Sequence, residues 1–183
     1  MKLIILDRDG VINEDSDHFI KTPDEWIPLP GSLAAIARLN RAGYTVAVAT
    51  NQSGIARGLF TVETLQAMHA KFRALLAAEG GKVDAIYYCD HGPAEDCNCR
   101  KPLPGMYLQA AADFDADLRD VPVIGDSFRD LEAALAVNAR PIAVKTGKGE
   151  RTLESHAAVL KEKNIPVYDN LASAVDALLA GEV

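Results

Sequence analysis

Two aspartates leave the first apolar run of the chain two residues apart, in LIILDRDG: Asp7 and Asp9, followed by Gly10. Residues two apart in extended backbone share a face. Two carboxylates held that close cannot both stay ionised cheaply unless a cation such as Mg²⁺ joins them or one keeps a proton. Both states serve phosphoryl transfer, in which one carboxylate attacks phosphorus and the other, protonated, supplies a proton to the leaving oxygen. Alone, a DxD is more often a polar turn, and Gly10 permits the chain to bend sharply there. Thr50 ends a second apolar run and opens TNQSG, where a hydroxyl, an amide and backbone N–H groups suit phosphate oxygens. Arg100 and Lys101 stand in CRKPLPGM, just before a helix that opens after Pro102 and Pro104. The guanidinium of Arg100 is a planar fork suited to bidentate contact with an anion. Asp126 follows Gly125 in GDSFRD as a candidate metal ligand, and Asp130, one helical turn on, either orients it or favours the helix N-terminus.

A second constellation lies in CDHGPAEDCNC, which offers Cys89, His91, Cys97 and Cys99. Three thiols and an imidazole suit tetrahedral Zn²⁺. The intervening Asp, Gly, Pro, Glu and Asn leave little core in which cysteines would serve as small hydrophobes. A closed four-ligand site is structural, ordering a loop and thereby placing Arg100 and Lys101.

Each phosphate-suited cluster follows a short apolar run, so a strand must deliver it. Strands are expected near 3–7, 45–50, 83–88, 121–125, 140–144 and 165–168, and helices over 31–42, 62–79, 104–116, 128–137, 151–163 and 171–179. This alternation predicts an α/β fold, a Rossmann-like parallel sheet with helices on both faces. Ligands of such open sheets bind at the carboxyl ends of the strands, where Asp7, Thr50 and Asp126 fall. Thr61 and Ser127 stand where N-caps belong. The stretch from Glu14 to Pro30 shows little periodicity and holds Pro23, Pro28 and Pro30, so it reads as an irregular loop over the site. His69 and His156 lie in helical patterns and read as surface or boundary residues.

At 183 residues the chain fits one domain, 1–183, able to bury a core without disulfides. No apolar run approaches a membrane span, and the short apolar start runs straight into charge, so neither leader nor anchor nor membrane partner is expected and residence is expected in the cytoplasm. The net charge of −7 argues against a protein that grips a nucleic-acid backbone. The chain is expected to act as a monomer.

Taken in order, Asp7-x-Asp9, Thr50, Lys101 and Gly125-Asp126 resemble the four motifs of the haloacid dehalogenase superfamily of phosphohydrolases. The resemblance runs from residue 3 to about 145. It implies that Asp7 is the nucleophile of an aspartyl-phosphate route and that Asp9 is the general acid and then the base. Thr50 and Lys101 would stabilise the phosphoryl group, and Mg²⁺ would be held by the Asp7 carboxylate, the Asp9 carbonyl and the Asp126 carboxylate. The Cys-His-Cys-Cys loop resembles that of a subgroup holding heptose bisphosphate and histidinol-phosphate phosphatases. NQSGIARG (51–58) and CRKPLPGM (99–106) are similar to the heptose bisphosphate enzymes of bacterial lipopolysaccharide precursor synthesis, whereas the short span from His91 to Cys97 is similar to the histidinol-phosphate enzymes.

The heptose resemblance implies a small sugar bisphosphate as substrate, dephosphorylated at C7 in a shallow pocket with no large cap domain. Substrate contacts would come from Asp15, His18 and Phe19, from Thr50, Asn51, Gln52 and Ser53, and from Arg100 and Lys101. Arg57, like His18, is a lone loop residue of the kind more often solvated. Two rivals belong to other classes. A phospho-accepting, receiver-like switch explains an acidic cluster with Thr and Lys but not the zinc loop. A zinc-knuckle module, or a 3′-phosphatase of the same superfamily acting on DNA ends, is disfavoured by the acidic composition.

Overall fold

The structure, a computed structural model, describes residues 1–183. Six parallel strands form its sheet: β1 (Lys2–Leu6), β2 (Tyr44–Asn51), β3 (Ala85–Cys89), β4 (Pro122–Gly125), β5 (Arg140–Val144) and the short β6 (Val167–Tyr168). Their spatial order is β3-β2-β1-β4-β5-β6. The helices are α1 (Ser32–Arg41), α2 (Val62–Ala78), α3 (Gly105–Asp113), α4 (Phe128–Ala136), α5 (Gly149–Glu162) and α6 (Leu171–Leu179). These are the elements expected from the apolar periodicity, with ends shifted by a few residues. No helix is long and apolar enough to cross a membrane.

The period of two along β1 divides the core. Ile4 and Leu6 pack with Val46, Val48 and the apolar stripes of α1, α2 and α6. Leu3 and Ile5 pack on the other face with Ala47, Ala49, Val123 and residues of α3 and α4. Burial on both faces explains why the strands read as continuous apolar runs. Strand order runs one way from β1 through β2 to β3 and the other way from β4 onward, so a crevice opens between the ends of β1 and β4.

Helix starts are fixed chemically. The Thr61 hydroxyl accepts from the Thr64 amide at the start of α2, and Ser127 with Asp130 forms a reciprocal capping box at α4. The segment between β1 and α1 is irregular apart from a short 3₁₀ turn, Pro23–Glu25. Trp26 anchors it: the indole is fully buried and stacks on Phe72 of α2, with centroids 5.2 Å apart. Lys71 Nζ adds bonds to the Pro23 and Trp26 carbonyls at 2.7 and 2.8 Å. Trp26→Ala is therefore expected to cost about 3–5 kcal/mol. Urea unfolding should show it as a lower midpoint with an unchanged slope.

Candidate active site

The three central strands deliver the site. Asp7 follows β1, Thr50 lies near the end of β2 and Asp126 follows β4, and all three line one cavity of about 290 Å³ whose lining residues are nearly all polar or charged. Lys101, from the loop before α3, enters from the side and is buried. Its Nζ donates to Asp7 Oδ1 at 3.0 Å and to the Ala49 carbonyl at 2.7 Å, and pairs with Asp130 Oδ1 at 2.6 Å. Asn51 fixes the same loop: its side chain accepts from the Lys101 amide at 3.0 Å and donates to the Lys101 carbonyl at 3.1 Å.

Asp7, Asp126 and Asp130 each offer a carboxylate oxygen, all within 4.8 Å of one another. Burial, and then repulsion from Asp130, push the Asp7 carboxyl up to about 7; burial and repulsion from Asp7 and Asp130 also raise Asp126 well above the usual range. Burial alone would lower Lys101, but Asp130 and Asp7 reverse that and raise it. One ammonium cannot neutralise three desolvated carboxylates, which must therefore retain protons or share a divalent cation with oxygen ligands. Gly10 makes the crowding possible. Its φ is 86°, and a Cβ there would stand 2.1 Å from Asp126 Oδ2.

Asp9 sits in the opposite environment. Its carboxylate accepts from Arg8 Nη2 at 2.8 Å, Arg8 Nε at 3.2 Å, Asn13 Nδ2 at 2.7 Å and Gln52 Nε2 at 2.9 Å. Burial would raise its carboxyl, but Arg8 and these donors hold it below the usual range. Gln52 Nε2 also donates to Thr50 Oγ1 at 2.9 Å, joining the first and second motifs.

Beyond β3, Cys89, His91, Cys97 and Cys99 converge, their ligand atoms all within 4.8 Å. His91 Nδ1 lies 3.4 Å from Cys89 Sγ and 3.3 Å from Cys99 Sγ, and Cys89 and Cys97 sulfurs are 4.0 Å apart. Cys89 and Cys99 themselves are in disulfide contact, with Cα atoms 5.6 Å apart. Ligands about 2.0–2.3 Å from a tetrahedral zinc stand about 3.3–3.8 Å from one another. The donor set and the two imidazole-to-sulfur spacings fit that ion.

A family model described as HAD-hydrolase-like matches residues 98–174, and one described as polynucleotide kinase 3 phosphatase matches residues 2–128. The D-glycero-beta-D-manno-heptose-1,7-bisphosphate 7-phosphatase of Pseudomonas putida is 57% identical over 183 residues, covering 98% of this chain and 100% of that protein. The crystal structure of D,D-heptose 1,7-bisphosphate phosphatase from Bordetella bronchiseptica, complexed with magnesium and phosphate, superposes with a TM-score of 0.95 at 55% identity and covers 99% of each chain. That of the Burkholderia thailandensis enzyme gives 0.74 at 45% identity, covering 98% of this chain and 99% of the other. The chain belongs to the haloacid dehalogenase superfamily, among its heptose bisphosphate phosphatases.

Measured against that family, the structure gathers Asp7, Asp9, Asp15, Phe19, Thr50, Asn51, Gln52, Ser53, Arg100, Lys101 and Asp126 around one phosphatase-like cavity. His18 is exposed and not part of the lining. His69, expected at a surface or boundary, is instead buried, because its helical position aligns it with Leu65, Phe72 and Leu76 on the core face of α2.

Among the lining residues without a site signature in the sequence, three come from the ends of β4 and β5. Lys148 pairs its Nζ with Asp15 Oδ2 at 2.5 Å and gives its amide to Asp126 Oδ2 at 2.8 Å, tying the irregular loop to the end of β4. Arg129 faces the cavity from the first turn of α4, and Ser127 from its cap. Capping chemistry marks Ser127 in the sequence; Arg129 lies in GDSFRD without a role assigned to it there, and no motif marks Lys148.

Lys101→Met keeps the stem and removes the charge, leaving Asp7 and Asp130 buried without their shared cation. A loss of about 3–5 kcal/mol is expected in metal-free urea unfolding near neutral pH.

Proposed function

We propose that residues 1–183 act as one monomeric, magnesium-dependent phosphatase domain that hydrolyses the C7 phosphate of D-glycero-D-manno-heptose 1,7-bisphosphate, a step of bacterial heptose precursor synthesis. The observation that carries the reading is the union of two facts: a near full-length match to heptose bisphosphate phosphatases, and a cavity in which Asp7, Asp9, Thr50, Lys101 and Asp126 meet at the strand ends.

In this mechanism the Asp7 carboxylate attacks phosphorus and forms an aspartyl phosphate while the sugar oxygen departs. Asp9 gives that oxygen its proton and then, as a carboxylate, takes one from the water that hydrolyses the intermediate. Lys101 Nζ, already 3.0 Å from Asp7 Oδ1, neutralises charge on the transferring group. The Thr50 hydroxyl and the backbone after β2 hold phosphoryl oxygens, and Arg100, Asn51, Gln52, Ser53, Asp15 and Phe19 shape the pocket for the sugar. The Asp7 and Asp126 carboxylates and the Asp9 carbonyl would hold Mg²⁺, which when bound supplies electrostatic stabilisation of the phosphoryl oxygens. Asp130 stays with Lys101 and the α4 cap, where its geometry is already satisfied.

The zinc reading of Cys89, His91, Cys97 and Cys99 rests on convergence. A Cys89–Cys99 bridge alone gives no reason for an imidazole nitrogen and a third sulfur to approach the same point within 3.3–4.0 Å. Zinc there has a structural role, bracing the chain that leads into Arg100 and Lys101.

The polynucleotide 3′-phosphatase match over residues 2–128 favours a second reading, hydrolysis of 3′-phosphates at DNA ends. The formal charge of −7 stands against it, since backbone binding needs a basic surface.

Phosphate release from the heptose 1,7-bisphosphate, histidinol phosphate and a 3′-phosphorylated oligonucleotide decides among substrates. The heptose ester should lead in kcat/KM by about 100-fold or more, equal to about 3 kcal/mol of transition-state discrimination. Equal or better rates on either competitor would reassign the substrate. Asp7→Asn should lower turnover by about 10³-fold or more, and chelation of divalent metal should abolish it reversibly. Protein purified without chelator should carry one zinc per chain, and Cys97→Ser should lose most of it; a zinc-free wild type with an intact disulfide would sink the zinc assignment.

A further inference from the structure

Arg8 has no exposed side-chain surface, although it is the residue between the two motif aspartates. Its guanidinium turns away from the cavity and is shared between two partners. Nε and Nη2 grip the Asp9 carboxylate, and Nη1 lies 3.1 Å from Nε2 of His69 on α2. Arginine has no acceptor, so this hydrogen bond requires His69 Nε2 to carry the lone pair, with the ring proton on Nδ1. Burial, and then the positive charge of Arg8, push the imidazole down to about 3, which keeps it neutral. His69 does not line the site; it borders a separate groove of about 310 Å³ with Gln66, Arg73 and Tyr88.

We propose that His69 is a positioning residue: its Nε2 fixes the rotamer of the buried Arg8 fork, and Arg8 in turn aims the Asp9 carboxyl at the leaving-group oxygen. The physical ground is that a buried guanidinium cannot leave an N–H unpaired without seeking another partner. Without the His69 acceptor, Nη1 has no protein partner, and a fork rotated to find one carries Asp9 with it. Asn13 and Gln52 hold Asp9 from other sides but do not fix the plane of the Arg8 fork.

This inference rests on Asp9 serving as general acid in the proposed reaction, and leaving-group dependence separates the two. A sugar phosphate needs its departing alkoxide protonated, whereas 4-nitrophenolate leaves without help. His69→Leu, His69→Gln and wild type are to be compared in kcat/KM on heptose 1,7-bisphosphate and on 4-nitrophenyl phosphate, with Mg²⁺. In His69→Leu the alkyl ester should lose about 10- to 100-fold and the aryl ester less than about threefold, while His69→Gln, whose amide oxygen can accept from Nη1, should recover most of the loss. Equal losses on both esters, no loss, or equal damage in the Gln and Leu variants would overturn the positioning role. Should His69→Leu fail to fold, His69→Met against His69→Gln makes the same comparison with the same outcomes. A wild type without activity on the bisphosphate would instead count against the proposed function itself.

Discussion

The ammonium of Lys101, buried where the central strands end, is the interaction on which the rest of the site depends. Asp7 and Asp130 reach it from two elements, and Asp126 stands beside them. No desolvated site tolerates three such carboxylates and one ammonium without retained protons or a further cation. The fold accepts this electrostatic strain because its two apolar layers lie below the crevice and the strands are tied by ladders on either side. The same unfinished compensation gives a divalent cation its reason to bind, and that cation together with Lys101 would then receive a phosphate, so the element that costs stability is also the element that confers reactivity.

Loops take the place of a cap over this crevice. The segment after Asp9 is pinned at one end by Trp26 against Phe72 and at the other by Lys148 on Asp15, with the Arg151–Asp17 pair outside it. These anchors differ in kind. Trp26 is fully buried and insensitive to salt, whereas Arg151 and Asp17 are both exposed and contribute little through a screened surface pair. Lys148, half-buried and also bonded through its amide to Asp126, is the contact that couples loop position to the end of β4.

Much of this was legible from residue order, because parallel strands write themselves as apolar runs and place whatever follows them at the ligand-binding edge. The order of residues therefore already brings Asp7, Thr50 and Asp126 to the one edge where they line a common cavity. Pairings across the fold are not legible: nothing in the chain announces that Asp130 meets Lys101 or that Lys148 meets Asp15, since each joins segments far apart in sequence. His69 is a different case. It lies four residues after Leu65 and three before Phe72, so the helical period already placed it on the buried face of α2. Its polarity masks that position, and the partner that makes burial tolerable, Arg8, stands between two motif aspartates with nothing in the sequence to link it to α2.

The two motif aspartates show how one short segment supplies two different carboxyls. Asp7 is crowded by other acids and raised, whereas Asp9 is held by an arginine and two amides and lowered. Divergent environments of this kind assign divergent roles. A group that must first give a proton and then take one back needs both forms within reach. The donors around Asp9 favour its carboxylate, the form that in the proposed reaction would receive a proton from water. Phosphate arriving with its own negative charge would shift the balance toward the acid, the form that the proposed reaction needs for the departing oxygen. Gln52, whose amide is shared between Asp9 and Thr50, lies where these influences meet and ties the carboxylate of the first motif to the hydroxyl of the second.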